Sequence, residues 1–152
     1  MLEWMHDEDV IKFFRFNSLN NTEADAKAFI AASNNNRSSR HFAIADENDE
    51  YWGTISLKHI DLENRNAEYA ICIRKGAMGK NVAKTATDLI LAYAFDELRL
   101  HKVYLNVLSD NIRAIRFYEK YGFIYEGVLK EQVLHKGAYK DLLYYAAFNQ
   151  EN

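Results

Sequence analysis

The chain has 152 residues, of which 49% are hydrophobic, so it is long enough to bury a sizeable core in a single domain over residues 1–152. A net charge of −3 without any Lys/Arg-rich block argues against a nucleic-acid or anionic-membrane surface, and no apolar run approaches the ~20 residues of a membrane-spanning helix. A single cysteine, Cys72, and an N-terminus without a signal-peptide pattern predict a soluble cytoplasmic protein.

Two short helices are predicted at the start of the chain. Apolar residues recur at near-helical spacing from Leu2 to about Phe14. A second helix is expected to begin after Asn21 or Thr22 and to run to about Ser33.

Three strands are predicted next. The segments RHFAIAD and YWGTISLKHI flank the polar ENDE and are rich in aromatic and β-branched residues, which is typical of antiparallel strands joined by a tight turn. The segment NAEYAICI supplies a third strand, in which Glu68, Ala70 and Cys72 would share one face.

The segment RKGAMGKNVAKTA, residues 74–86, combines a glycine-bearing turn with the start of a helix. A strand ending at Ile73 and a helix starting near Asn81 would direct free backbone N–H groups, and the positive end of the helix dipole, at one point. This geometry predicts an anion site. The glycine spacing fits neither a Walker phosphate loop nor a dinucleotide fingerprint, and an ordinary strand-to-helix connection explains this segment equally well.

The helix after this turn should be largely buried, because its apolar residues cover one broad face. The residues that define this face are Val82, Ala86, Leu89, Ile90 and Tyr93.

The C-terminal third is predicted to form a strand, a helix and a hairpin. KVYLNVL is the strand, and SDNIRAIRFYEKYG is a helix that begins at Ser109 or Asp110 and ends at Gly122. FIYEGVLKEQVL and YKDLLYYAAF form a closing hairpin around Lys136 and Gly137. The order of elements predicts an α/β (α+β) fold with helices on a mixed, mostly antiparallel sheet.

The segment NIRAIRFYEKYGF follows the pattern Asn-x-x-Ala-x-x-x-Tyr-x-x-x-Gly-Phe and resembles the GNAT superfamily of acyl-CoA-dependent N-acetyltransferases, particularly its ribosomal-protein and spermidine acetyltransferase branch. The resemblance extends over about Arg40 to Phe148. RNAEYAICI is similar to the family's central strand, MGKNVAKTA to its pyrophosphate turn and HKGAYKD to its closing hairpin. It implies a GNAT-type twisted sheet, acetyl-CoA as co-substrate, and direct transfer of an acetyl group to a primary amine in a ternary complex.

The family turn follows Gln/Arg-x-x-Gly-x-Gly/Ala, which places Met78, Asn81 and Ala83 at the defining positions, and only Ala83 fits outright. We expect Asn81 to keep the turn, since asparagine is the non-glycine residue that best tolerates a positive φ. Methionine at position 78 neither bonds nor neutralises phosphate, so binding should survive in weakened form with a nearby lysine compensating. The candidate lysines are Lys75, Lys80 and Lys84.

The resemblance also implies which residues contact the cofactor. The backbone of the central strand would pair with the pantetheine arm like an added strand, and Asn111 would hydrogen-bond that arm. The alternative role for Asn111 is that of a helix cap. The residues implied are Ile71, Cys72, Ile73, Met78, Gly79, Lys80, Asn81, Val82, Ala83, Lys84, Asn111, Ala114 and Tyr118.

Two residues are expected to carry the catalysis. Tyr118 matches the family tyrosine that faces the thioester sulfur, and a phenol of pKa ~10 can protonate a thiolate whose conjugate acid has a pKa near ~8.5. Glu68 could accept the amine proton directly or through water, and a solvated or capped strand-edge glutamate is the equal alternative. Cys72 is interpreted as a small apolar residue, because no histidine partner lies at a recognisable spacing. Scattered histidines predict no metal site.

Further departures concern the N-terminus and the acceptor. The sequence lacks a segment that matches the first strand of the family. We expect either that another segment or a second subunit covers the open sheet edge, as in a homodimer, or that the domain tolerates a shorter sheet. Polyamine acetyltransferases carry acidic residues after an aromatic pair, whereas Phe13 and Phe14 are followed by Arg15, which weakens a polyamine acceptor. The candidates for lining the acceptor groove are Trp4, Phe14, Phe16, Tyr125 and Tyr139.

Two other functions stay open at this stage. Met78, Asn81 and the missing strand also fit a degenerate acyl-CoA-binding or regulatory module, which would bind the cofactor without turnover. A small α/β interaction domain, in which the glycine turn is only a connector, would not bind it at all.

Overall fold

The computed structural model describes residues 37–150, so the two predicted N-terminal helices, with Trp4, Phe14 and Phe16, lie outside the described residues. The strands are β1 Arg40–Ala45, β2 Tyr51–Asp61, β3 Asn66–Ile73, β4 Lys102–Leu108, β5 Ile124–His135 and β6 Ala138–Phe148. The helices are α1 Val82–Ala92 and α2 Ile112–Tyr121, and short 3-10 and π-helical turns at Lys75–Ala77 and Tyr93–Glu97 flank α1. Among residues 37–150, no helix is long and apolar enough to cross a bilayer.

The six strands form one sheet in the order β1-β2-β3-β4-β6-β5, and every neighbouring pair is antiparallel except β3 and β4. The predicted α/β architecture with a mostly antiparallel sheet is therefore confirmed. Strands β1 and β5 are the two edges of the sheet that the described residues form.

The parallel pair β3 and β4 is joined over only a short length. Residues 66–68 of β3 pair with residues 102–104 of β4, and the two strands are not paired beyond these residues. From Tyr69 onward the described part of β3 therefore keeps β2 on one side and an open edge on the other. This opening positions the candidate site.

Both helices pack on one face of the sheet. Leu57, Ala67 and Val103 are fully buried on that face, as expected for strands whose side chains alternate between core and opposite face. The buried hydroxyls of Tyr69 and Thr87 share a hydrogen bond of 2.8 Å, which ties β3 to α1 across the core. A satisfied polar pair of this kind fixes how the helix lies on the sheet.

The predicted apolar face of α1 is wrong in one respect, because the Leu89 side chain is 69% exposed. The buried face is turned toward Thr87 and Leu91, and it also includes Ala86 and Ile90. Thr87 can occupy the core since its hydroxyl also donates to the Ala83 carbonyl, at 2.7 Å. A threonine that bonds its own helix looks polar in the sequence but behaves as a core residue here.

Gly53 lets β2 lie unusually close to β3. A Cβ at this position would be 2.3 Å from the backbone carbonyl oxygen of Cys72. Only glycine leaves room for that approach, so Gly53 supports the back of β3 directly behind its open edge.

Candidate active site

The turn before α1 adopts the conformation that the sequence predicted. Gly79 has φ 81° and Asn81 has φ 60° and ψ 12°, both in the left-handed region. Asn81 precedes the first residue of α1 but makes no capping hydrogen bond through its side chain. The expectation that asparagine can replace glycine in this conformation is confirmed.

Six consecutive backbone N–H groups, those of residues 79–84, donate to no acceptor in the part of the chain that the structure describes. The first hydrogen bond of the helix runs from the Thr85 N–H to the Asn81 carbonyl, at 3.0 Å. Open space lies beside Gly79, since a Cβ there would meet no atom within 4 Å. Unpaired N–H groups at a helix N-terminus, next to open space, can bind an anion such as a phosphate.

Two of the candidate lysines make other contacts. The Lys80 ammonium lies 4.9 Å from the centroid of the Trp52 ring, and Lys84 Nζ lies 2.8 Å from Asp88 Oδ2. Exposed ion pairs contribute little to stability, so the Lys84 side chain can turn toward a bound anion at small cost. Compensation for Met78 by a lysine stays a prediction.

The open edge of β3 lies directly before this turn in the chain, since β3 ends at Ile73. Residues Ile71, Cys72 and Ile73 pair with β2 on one side and have no strand on the other within the described sheet. Such an edge can hydrogen-bond an extended ligand in the way that it would bond another strand.

Tyr118 on α2 lies in the core at the open side of β3. Its ring packs edge-on against Tyr69 and Phe123, at centroid distances of 6.1 and 5.7 Å. Its hydroxyl donates to no described residue. Burial, with a smaller contribution from the neighbouring thiol of Cys72, raises the pKa of Tyr118 above its usual value. The phenol is therefore protonated at neutral pH, as a general acid must be.

Burial also raises the pKa of the Cys72 thiol to about 12. The thiolate is the reactive form of cysteine, so this side chain is unreactive near neutral pH. The state of the thiol agrees with the interpretation of Cys72 as a packing residue.

Asn111 caps α2. Its Oδ1 accepts a hydrogen bond from the backbone N–H of Ala114, at 3.3 Å, which is the capping alternative that the sequence left open. Its side-chain amide nitrogen donates to no described residue. The cap therefore leaves Asn111 a donor for a ligand, and its predicted contact with the pantetheine arm stays a prediction.

Glu68 is buried in the central strand, so its carboxylate is not solvated, while the alternative of a capped glutamate stays open. Asn106 on β4 donates from Nδ2 to Glu68 Oε1, at 2.9 Å. Two basic residues of β2 also approach the carboxylate: Lys58 Nζ is 3.8 Å from Oε1 and His59 Nε2 is 3.5 Å from Oε2. A buried carboxylate surrounded by donors can act as a proton acceptor.

Sequence reasoning missed these three neighbours of Glu68. Asn106 lies two residues after Tyr104, the register partner of Glu68, so the contact follows only when the pairing of β3 with β4 is known. The approach of His59 depends on an irregularity in β2 for which the sequence offers no signal.

The structure does not bring Tyr125 to the Glu68 side of the sheet. Tyr125 packs edge-on against Tyr145, on the face that carries the helices, with ring centroids 5.6 Å apart. Tyr139 is exposed on β6. Tyr125 therefore does not line a groove on the Glu68 face, and the role of Tyr139 stays a prediction.

A cavity of about 500 Å³ lies between α1 and the strands β1 and β2, and is lined by apolar side chains such as Phe42 and Val82. It borders Lys80 and Asn81 but neither Glu68 nor Tyr118, so we place the chemistry at the open edge of β3 and not in this cavity. Residues 37–150 contain no group of three His, Cys, Asp or Glu side chains that could hold a metal ion.

Comparisons with known proteins agree with this arrangement. The family model of the acetyltransferase (GNAT) domain matches residues 1–124. The chain is 37% identical over 103 residues to a spermidine N(1)-acetyltransferase of Vibrio cholerae, covering 68% of this chain and 60% of that protein. It is 33% identical over 99 residues to the putative ribosomal N-acetyltransferase YdaF of Bacillus subtilis, covering 65% of this chain and 54% of that protein.

The aligned segments thus span between half and two-thirds of the length of these curated relatives. A crystal structure of the spermidine N-acetyltransferase from Vibrio cholerae, in complex with CoA and spermine, superimposes with a TM-score of 0.88 at 26% sequence identity. That superposition covers 97% of this chain and 86% of the other. Together with the Asn-x-x-Ala-x-x-x-Tyr-x-x-x-Gly-Phe segment, these matches establish that the chain belongs to the GNAT acetyltransferase family.

Proposed function

We propose that this chain is an acetyl-CoA-dependent N-acetyltransferase that acts on a primary amine by direct attack in a ternary complex. The observation that carries the proposal is the combination of three features in the described part of the chain. The N–H groups of residues 79–84 have no acceptor there, β3 has an open edge from Tyr69 onward, and Tyr118 packs against Tyr69. A pyrophosphate, an extended amide-bearing arm and a thioester require these features in this order.

The residues that would hold acetyl-CoA fit its chemistry. The N-terminal turn of α1 would bind the pyrophosphate, and the backbone of 71–73 would pair with the amides of the arm. Asn111 would donate to the arm from its free amide nitrogen. When bound, acetyl-CoA supplies an activated acyl group, and the protein supplies orientation and proton transfer.

Glu68 and Tyr118 lie on opposite faces of β3. Glu68 contacts Asn106 on one face, whereas Tyr118 packs against Tyr69 on the other. The opening between β3 and β4 connects the two faces, so a carbonyl held within it can be attacked from the Glu68 side while sulfur leaves on the Tyr118 side. This arrangement supports direct attack without a covalent acetyl-enzyme, and the high pKa of the Cys72 thiol gives no support to an acetyl-cysteine intermediate.

In this mechanism, each residue moves one proton. Glu68 takes a proton from the incoming ammonium group, which frees the nitrogen lone pair for attack. The C–N bond forms and the C–S bond breaks, while Tyr118 gives its proton to the departing thiolate. The second amine proton then restores the Tyr118 phenol.

The names of the relatives suggest where to look for the acceptor. Spermidine and spermine should be tested first as acceptors, since several relatives are spermidine acetyltransferases and the structural neighbour was crystallised with spermine. Ribosomal proteins and L-amino acids should be tested next, because other relatives are named a putative ribosomal N-acetyltransferase and an L-amino acid N-acetyltransferase. A homodimer and a cytoplasmic location stay predictions.

Calorimetric titration with acetyl-CoA tests the cofactor site, using the unmodified chain and Gly79→Trp. A Trp at position 79 would fill the open space beside the turn. Gly137→Trp is the matched control, since Gly137 has φ +79° against +81° for Gly79 and also faces open space, but lies in the β5–β6 turn. We expect saturable binding that is lost only in Gly79→Trp.

Release of free CoA thiol in the presence of each amine then tests turnover. Binding without thiol release for any acceptor would instead support a degenerate acyl-CoA-binding module. Absence of binding by the unmodified chain would support an interaction domain and contradict the proposal.

A further inference from the structure

Strand β2 is irregular where it passes Glu68. Its register with β3 shifts between Lys58 and Asp61, and His59 has φ 50°, in the left-handed region. Consecutive side chains of a regular strand point to opposite faces, yet Lys58 and His59 both contact Glu68. A non-glycine residue in this conformation is strained, and such strain is often found at functional sites.

The two oxygens of Glu68 have different surroundings. Oε1 accepts the hydrogen bond from Asn106 at 2.9 Å and lies 3.8 Å from Lys58 Nζ. Oε2 has His59 Nε2 as its neighbour, at 3.5 Å. The Glu68 side chain is only 10% exposed, whereas that of His59 is 74% exposed. His59 therefore joins the buried carboxylate to water.

We propose that Asn106 and His59 complete the base: Asn106 is a positioning residue that holds Oε1, and His59 carries the proton from Oε2 to water. This inference rests on the proposed function, since it assigns the proton that Glu68 removes from the amine. Asn106 comes from β4 and His59 from the β2 irregularity, so the sheet holds the carboxylate from both sides.

The proton balance closes over one turnover. An ammonium group has three N–H bonds and the amide product keeps one. The first proton forms an O–H bond on Oε2, moves to Nε2 of the His59 imidazole, and leaves from that same nitrogen to water when the exposed ring turns toward solvent. The second reaches the thiolate by way of Tyr118, so the carboxylate, imidazole and phenol all return to their starting states.

Other charged or titratable groups near the carboxylate fit this assignment. Lys58 brings a basic side chain within 3.8 Å of Oε1, on the side of the carboxylate away from His59's contact with Oε2. Tyr104 on β4 has a raised pKa, chiefly through burial and then through the negative charge of Glu68, so it stays neutral and does not compete for the proton. Asp61 and Tyr144 influence Tyr104 more weakly than Glu68 does.

The decisive variant is His59→Gln, which changes an exposed side chain and leaves the buried carboxylate in place. We expect kcat to fall by about 10-fold, with KM for acetyl-CoA unchanged; this loss is smaller than the ~100-fold of a direct acid or base, because water can partly replace an exposed relay. Imidazole added to the buffer should restore the rate in a saturable way. His135→Gln is the matched control and should show neither the loss nor the rescue.

Asn106→Leu tests the positioning residue. Loss of one donor to the carboxylate should move the acidic limb of the kcat/KM profile to higher pH by about one unit, and imidazole should not rescue it. If Glu68→Gln abolishes the reaction while His59→Gln keeps the full rate, or loses it without rescue by imidazole, the relay is wrong and the proposed function stands. If the unmodified chain transfers no acetyl group, both are wrong.

Discussion

The left-handed conformation of Asn81 allows a quantitative test of the turn. In Asn81→Ala, a residue that disfavours this conformation by about 1–2 kcal/mol replaces one that tolerates it. The Asn81 side chain makes no capping hydrogen bond, so no lost bond adds to this cost. Asn81→Gly removes the conformational restriction altogether, and its main cost is the entropy of a more flexible unfolded chain.

The energetic cost of Asn81→Ala must lower either the free energy of unfolding or the affinity for acetyl-CoA. If the turn keeps its shape, the free energy of unfolding falls by about 1–2 kcal/mol and the Kd for acetyl-CoA is unchanged. If the turn relaxes in the free protein, stability is kept and binding loses the same energy, which raises Kd roughly 5- to 30-fold. The two losses should therefore add up to about 1–2 kcal/mol, while Asn81→Gly should lose less than half of that in either measurement.

Urea denaturation and calorimetric titration measure the two quantities. The matched controls are Lys136→Ala and Lys136→Gly, because Lys136 has φ 51° in the β5–β6 turn, away from the anion site. Lysine disfavours the left-handed region as alanine does, so Lys136→Ala should leave stability nearly unchanged, Lys136→Gly should raise it, and neither variant should alter Kd. The reasoning fails if Asn81→Ala changes neither quantity, or if Asn81→Gly loses binding, since the side chain and not the backbone shape would then matter.

Three further predictions concern residues around β3. Tyr118→Phe should lower kcat at least about 100-fold with an unchanged Kd for acetyl-CoA, and an unchanged kcat in steady-state assays would remove Tyr118 as the acid. With its pKa at about 12, the Cys72 thiol should react with iodoacetamide at pH 8 roughly 1,000-fold more slowly than a free thiol, and rapid labelling would contradict its burial. Gly53→Ala should lower the free energy of unfolding by about 1–3 kcal/mol, because its Cβ meets the Cys72 carbonyl oxygen, and an unchanged urea midpoint would disprove that contact.

Local patterns predicted most of the fold. The strands, the α2 helix ending at Gly122 and the β5–β6 turn at Lys136 and Gly137 are where residue types and spacing place them. The anion turn was also predictable, since Gly79 and Asn81 are the residue types that adopt positive φ without large strain.

Long-range contacts account for what the sequence could not predict. The buried face of α1 is turned because Thr87 bonds Tyr69, a residue 18 positions earlier in the chain. The contact between Asn106 and Glu68 joins residues 38 positions apart. Neither contact leaves a periodic signal, since both depend on which strands lie side by side.

The short register between β3 and β4 has a mechanical consequence. In the described sheet, the strands β1, β2 and β3 form one half, and β4, β5 and β6 form the other. Among the described residues, the backbones of these halves are joined directly by the three register pairs over 66–68 and by the adjacent Arg65 carbonyl, which accepts from the His101 and Lys102 N–H groups. A ligand that hydrogen-bonds along 69–73 would act as a temporary seventh strand and couple the halves over a greater length. Binding should then slow amide hydrogen exchange on both sides of the opening, so that the substrate itself completes the rigidity of the sheet.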